Sequence, residues 1–158
     1  MAKYLLGDKN SFLEINQVVA DAEEFDHPHT SVVVLLMQIM MNQFSHNLAE
    51  VVSNAQKMIN ICVKNGFNQW ECAARILLHW AQIHIGRNQI TVSMLRNEIE
   101  LWKSFGANLF LPYWLYLLSD AHRHVGNNIK SRKHYDEALS IEKATGELWA
   151  HNLFKKSR

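Results

Sequence analysis

Gly66-Phe67-Asn68-Gln69-Trp70 and, 40 residues on, Gly106-Ala107-Asn108-Leu109-Phe110 open two copies of one pattern. Gly146-Glu147-Leu148-Trp149 opens a third at the same interval. One interval earlier, Phe25-Asp26-His27-Pro28 reads as another turn. Half an interval into each copy stand Gly86-Arg87-Asn88 and Gly126-Asn127-Asn128, with His46-Asn47-Leu48 as the earlier equivalent. A fixed period of this length marks stacked helical pairs, each a unit that cannot bury its apolar face alone.

The apolar residues keep the same register. Ile15, Ala55, Leu95 and Tyr135 share one column of the second helix of each pair, and Val19, Ile59, Ile99 and Leu139 share the column four residues later. In the first helix, Met37, Leu77 and Leu117 form one column, and Met41, Ala81 and Ala121 the next. Spacings of three and four give the stripe that a neighbouring helix covers. Both prolines, Pro28 and Pro112, fall near the start of a unit, where a missing N–H is tolerated. The glycines fall where helices should stop, because a left-handed residue just past a helix end favours Gly. Helices are therefore predicted over about 9–24, 28–45, 48–65, 68–85, 88–105, 108–125, 128–145 and 147–156, with no strand.

Composition narrows the function. Of 158 residues, 48% are apolar and 20% charged, the balance of a globular chain with a sizeable core. The net charge of +1 and the absence of a dense Lys/Arg cluster argue against a nucleic-acid partner. Charge is uneven, however. Residues 1–26 hold two lysines against six acids, whereas residues 130–158 hold seven basic residues against four acidic ones. Cys62 and Cys72 have no C-x-x-C spacing, so neither a zinc site nor a disulfide framework is expected. The longest apolar run, Val32 to Met37, is too short to span a membrane, and the first residues lack a signal-peptide core. A cytoplasmic location with no membrane partner is expected.

The expected organisation is a single helical-repeat domain over 1–158, with a partial repeat at 1–25, repeats at 26–65, 66–105 and 106–145, and a partial repeat at 146–158. Neither end carries the polar capping helix of a solenoid. Two expectations follow: the chain is an excerpt of a longer array, or its uncapped ends stack on another copy as a homodimer.

Gly66-Phe67-x-x-Trp70, then Leu101-Trp102-x-x-Phe105-Gly106-Ala107, then the run from Pro112 to Ala121 extend the pattern. With Glu137-Ala138-Leu139 and Thr145-Gly146-Glu147-Leu148-Trp149, they resemble the C-terminal tetratricopeptide-like array of bacterial predicted ATPases. These are multidomain signalling proteins that often carry a class III adenylate cyclase domain. More distantly, the chain is similar to the helical sensor domains of MalT-like regulators. The resemblance implies an all-α, right-handed superhelix of tetratricopeptide-like helical pairs. It also implies a regulatory role: binding a protein or peptide in a concave groove or, alternatively, a small effector between repeats. The chain departs from the family after Trp149, where Ala150-His151-Asn152-Leu153-Phe154 runs into a basic end. It also lacks a G-x-x-x-x-G-K-[ST] phosphate loop, so no enzymatic activity is carried over.

Residue chemistry points the same way. No two of the nine histidines have the spacing of three or four that would place a metal pair on one helix face. They are read as solvated or surface hydrogen-bonded groups; His84 and His124, in equivalent columns, are the one inter-repeat pair considered for a metal. Cys62 shares a core column with Ala22 and Trp102 and is read as a buried structural thiol. Ser119, Asp120 and His122 point in different directions on one helix and form no triad. No catalytic residue, metal or cofactor is expected. Trp70, Trp102, Trp114 and Trp149 are read as packing residues, and Trp80, Tyr113 and Tyr116 as the partly exposed aromatics. The expected partner-binding residues lie on the first helices, which line the concave face in such arrays. They are Arg75, His79 and Gln82, and in the next unit Ser119, His122 and Arg123.

Overall fold

The computed structural model of the chain describes residues 14, 17, 18, 21, 27–86, 89–106, 108–146 and 150. Among them every regular element is an α-helix, so the architecture is all-α. The helices are α1 Pro28–Phe44, α2 Leu48–Asn65, α3 Asn68–Gly86, α4 Gln89–Ser104, α5 Leu111–His124 and α6 Asn128–Thr145. The helices expected over 9–24 and 147–156 fall largely outside the described residues. Two compact units meet between Ala81 and Gln82, inside α3.

In the first unit, α1 and α2 pack as a helical hairpin. His27 caps α1, its Nδ1 accepting from the Thr30 N–H at 3.3 Å, and Pro28 takes the first helical position. The buried residues of α2, Val51, Ala55, Met58, Ile59 and Cys62, form a single stripe, so this helix has one wet face. The turn between α1 and α2 is a Schellman closure: the His46 N–H donates to the Gln43 carbonyl and the Asn47 N–H to the Asn42 carbonyl. It places His46 at φ +53, in the left-handed region that a side chain enters at a cost of roughly 1 kcal/mol.

The same closure ends α5, with Gly126 at φ +82 in the place of His46. Gly86, the intervening residue of this register, behaves differently. It is the last residue of α3 and has no positive φ, so the expectation that each glycine sits left-handed past a helix end does not hold there.

The second unit is built on α5, which packs against both α4 and α6. A helix covered on two sides is apolar nearly all round, and every residue from Leu111 to Ser119 is buried. Leu115, Leu117 and Leu118 each contribute roughly 1.5–3 kcal/mol by leaving water. Tyr113 and Tyr116 are therefore core residues, not the partly exposed anchors expected. Trp80 is likewise fully buried, because α3 buries Ile76 through Ala81 without a break. Trp102 and Trp114 meet edge-to-face at 5.7 Å, and the Trp102 indole N–H donates to the Leu109 carbonyl, tying down the loop before α5.

That loop is where the predicted boundary fails. A helix from residue 108 would place Pro112 in its interior, with no N–H to give and a ring against the carbonyl of Asn108. Instead α5 begins at Leu111, with Pro112 in its first turn and Phe110 preceding it at φ +64.

Candidate functional site

A cleft of about 590 Å³ opens in the second unit where α4, the end of α5 and α6 converge. Helix α4 supplies Val92, Ser93, Arg96, Asn97, Glu100 and Lys103, whose spacing places them on one face. Helix α6 supplies Lys130, Lys133, His134 and Glu137, again on one face, and α5 supplies His122. Four cations and two acids thus line one concavity.

The acids are both taken by one lysine. Lys103 Nζ lies 3.0 Å from Glu100 Oε1 and 3.1 Å from Glu137 Oε1, a strut from α4 to α6. Burial opposes charge on both Lys103 and Glu137, but their mutual bond outweighs it. Lys103 is held above the usual lysine value and Glu137 below the usual carboxylate value. Glu137 also meets His134 Nδ1 at 3.3 Å. Among the described residues no carboxylate stands within ion-pair distance of Arg96, Lys130 or Lys133.

His122 is buried to 5% exposure, and its ring stacks on that of His134 with centroids 5.4 Å apart and planes 9° from parallel. Burial first, then the charges of His134, Lys130 and Arg96, press its pKa down to about 4. At neutral pH it is an uncharged imidazole. Its Nδ1 is buried with no hydrogen-bond partner among the described residues. Burial also lowers His134, against the opposing bond from Glu137. The expectation that the histidines are surface groups therefore fails at His122, and also at His79, which is 6% exposed.

Of the six expected partner-binding residues, His122 lines the cleft. In the first unit, Arg75 is paired with Glu71 at 2.6 Å and His79 is buried. In the second, Gln82 and Arg123 are exposed, with Arg123 bound to Asp120. Ser119 is internal, its hydroxyl donating to the Ser131 carbonyl at 2.8 Å. Burial takes His79 and Ser119 off any solvent-facing stripe. The cleft instead uses α4 and α6, and Arg96, Lys130 and Lys133 were not among the expected residues. Two signals pointed to the lysines, the basic excess over residues 130–158 and the three-residue step from Lys130 to Lys133, and neither reached Arg96.

Chemistry elsewhere is muted. The Cys62 thiol is buried and pushed up to about 11 by burial and the charge of Glu71, so it is protonated and a poor nucleophile. His84 and His124 do come together, with centroids 4.4 Å apart and His84 Nε2 2.9 Å from Asp120 Oδ2. Among the described residues, no three His, Cys, Asp or Glu side chains are grouped to hold a metal ion. No described helix is long and apolar enough to cross a membrane. Compared with known proteins, the chain matches no family model, no curated protein and no solved structure.

Proposed function

We propose that the chain is a non-enzymatic helical-repeat module of the tetratricopeptide-like, superhelical kind, and that it binds an anionic segment of a partner protein in the basic cleft of the second unit. The observation that carries this is the convergence of Arg96, Lys130 and Lys133 on one concavity while both lining acids are held by Lys103. Such a site focuses positive potential, which accelerates encounter with an acidic partner and disfavours a basic one. The role in the cell is regulatory, as in the signalling proteins whose repeat array this chain resembles. The protonated, buried Cys62 supports a binding role over nucleophilic catalysis.

The test is fluorescence anisotropy with a short labelled peptide of alternating Glu and Ser, and a Lys/Ser peptide as the opposite charge. The acidic peptide should bind, more weakly as salt rises, and Lys133→Glu should lower its affinity by about tenfold or more. Arg75→Ala, whose guanidinium is already paired with Glu71, should leave it unchanged. Equal binding of the Lys/Ser peptide, or wild-type affinity in Lys133→Glu with unaltered circular dichroism, would overturn the proposal.

A further inference from the structure

We infer that the group the cleft holds is a phosphomonoester, carried as a phosphorylated serine or threonine on the anionic segment; this rests on the reading of the cleft just given. The first argument is charge. The lining sets four cations against two acids, so one carboxylate would cancel only half of the excess, whereas a phosphomonoester brings about −1.5 to −2 at neutral pH and nearly cancels all of it. The second is direction. The cations reach the cleft from two helices and His122 from a third, a disposition suited to three acceptor oxygens arranged around phosphorus rather than to two in a plane.

The third argument is the state of the groups with nothing bound. His122 Nδ1 is more than nine-tenths buried in the wall of the cleft without a partner, and an unmade hydrogen bond at a buried polar atom costs about 1–3 kcal/mol. A turn of the ring about Cβ–Cγ that brings this nitrogen to the cleft lets the neutral imidazole donate from it to a phosphoryl oxygen. Helix α6 adds to the strain. Its first turn has no acid, and Lys130 sits there, at the positive end of the helix dipole, a placement that is unfavourable until an anion arrives. The orphaned imidazole nitrogen, the unneutralised cations and the basic first turn of α6 are all relieved by the same ligand.

The experiment uses the Glu/Ser peptide with its central serine phosphorylated, beside the same peptide carrying Glu at that position, and free O-phosphoserine. The phosphopeptide should bind at least about tenfold more tightly than the Glu peptide. His122→Phe should cut that preference to within about threefold. Should His122→Phe not fold, Lys130→Gln and Lys133→Gln, both at exposed positions, should each weaken the phosphopeptide more than the Glu peptide. Equal binding of the two peptides would overturn the phosphomonoester and leave the anionic segment standing. Free O-phosphoserine binding as tightly as the phosphopeptide would uphold the phosphomonoester and overturn its placement on a protein segment. No binding by any of the three would overturn both.

Discussion

Gly86 and Gly126 stand one interval apart, and the same substitution should have opposite effects at the two. Gly126 adopts φ +82 in the Schellman closure of α5, and a Cβ built there meets nothing within 4 Å. Gly126→Ala therefore gains no packing and meets no clash; its whole effect is backbone. Holding an L-residue in the left-handed region costs roughly 1–2 kcal/mol, offset by about 0.5 kcal/mol from the stiffer unfolded chain, for a net loss of about 1 kcal/mol. Gly86 closes α3 in a helical conformation, and its Cβ also meets nothing within 4 Å. Gly86→Ala should stabilise by roughly 0.5 kcal/mol, since Ala suits a helix and loses less chain entropy. The two variants should differ by about 1.5 kcal/mol. Both positions belong to the second unit, so one urea transition reports on both. With a urea slope of roughly 1–2 kcal/mol per molar, the midpoint should fall by about half a molar or more in Gly126→Ala and rise by about a third of a molar in Gly86→Ala. Shifts of the same sign would refute the assignment of Gly86 to the helix. An unmoved Gly126→Ala would refute the conformational cost, which His46 already bears at the corresponding turn of the first unit.

Two further outcomes follow from buried polar groups. His122 has a folded pKa below its ordinary value, set by burial and by His134 and Lys130 from α6 and Arg96 from α4. The unfolded chain therefore binds the proton first as pH falls, so this contribution to stability is complete above about pH 6.5 and is lost toward pH 4. Between pH 6.5 and 5 the loss should be about 1–2 kcal/mol, measured by urea midpoints across pH; an equally steep profile in His122→Phe would remove His122 as its cause. Tyr116 Oη donates to Glu142 Oε2 at 2.7 Å, with both residues buried. Tyr116→Phe should destabilise the second unit by about 1.5–3 kcal/mol, and a urea midpoint within error of wild type would refute that bond.

The positions of the helices were largely legible because they depend on local signals. α1, α2, α3 and α6 begin where the periodicity places them, at Pro28, Leu48, Asn68 and Asn128, each marked by a turn residue or proline just before an apolar stripe. The interval alone put the start of α5 near residue 108, although the correcting signal was visible: Pro112 fits only the first turn of a helix, which moves the start to Leu111. The burial of Trp80, Tyr113 and Tyr116 was not legible in the same way. Whether the second face of a helix is wet depends on how many neighbours it has, and periodicity within one helix does not count neighbours.

The cleft shows the same limit more sharply. Lys130, Lys133, His134 and Glu137 have the spacing of any solvated helix face, and so do Arg96, Glu100 and Lys103. Read alone, each face has two basic residues and one acid with a neighbour in reach: Glu100 stands three residues from Lys103, and His134 three from Glu137. Only when α4 and α6 face each other does Lys103 take Glu137 as well as Glu100. A contact across 34 residues of chain thereby draws both acids of the cleft to one lysine and leaves Arg96, Lys130 and Lys133 without a carboxylate in ion-pair range among the described residues. Each helix brings one surplus cation, and the gathering of that surplus in one concavity is a property of the helix pair. If that account is right, Lys103→Met should free Glu137 to compensate the remaining cations, weakening anion binding even though Lys103 need not touch the ligand.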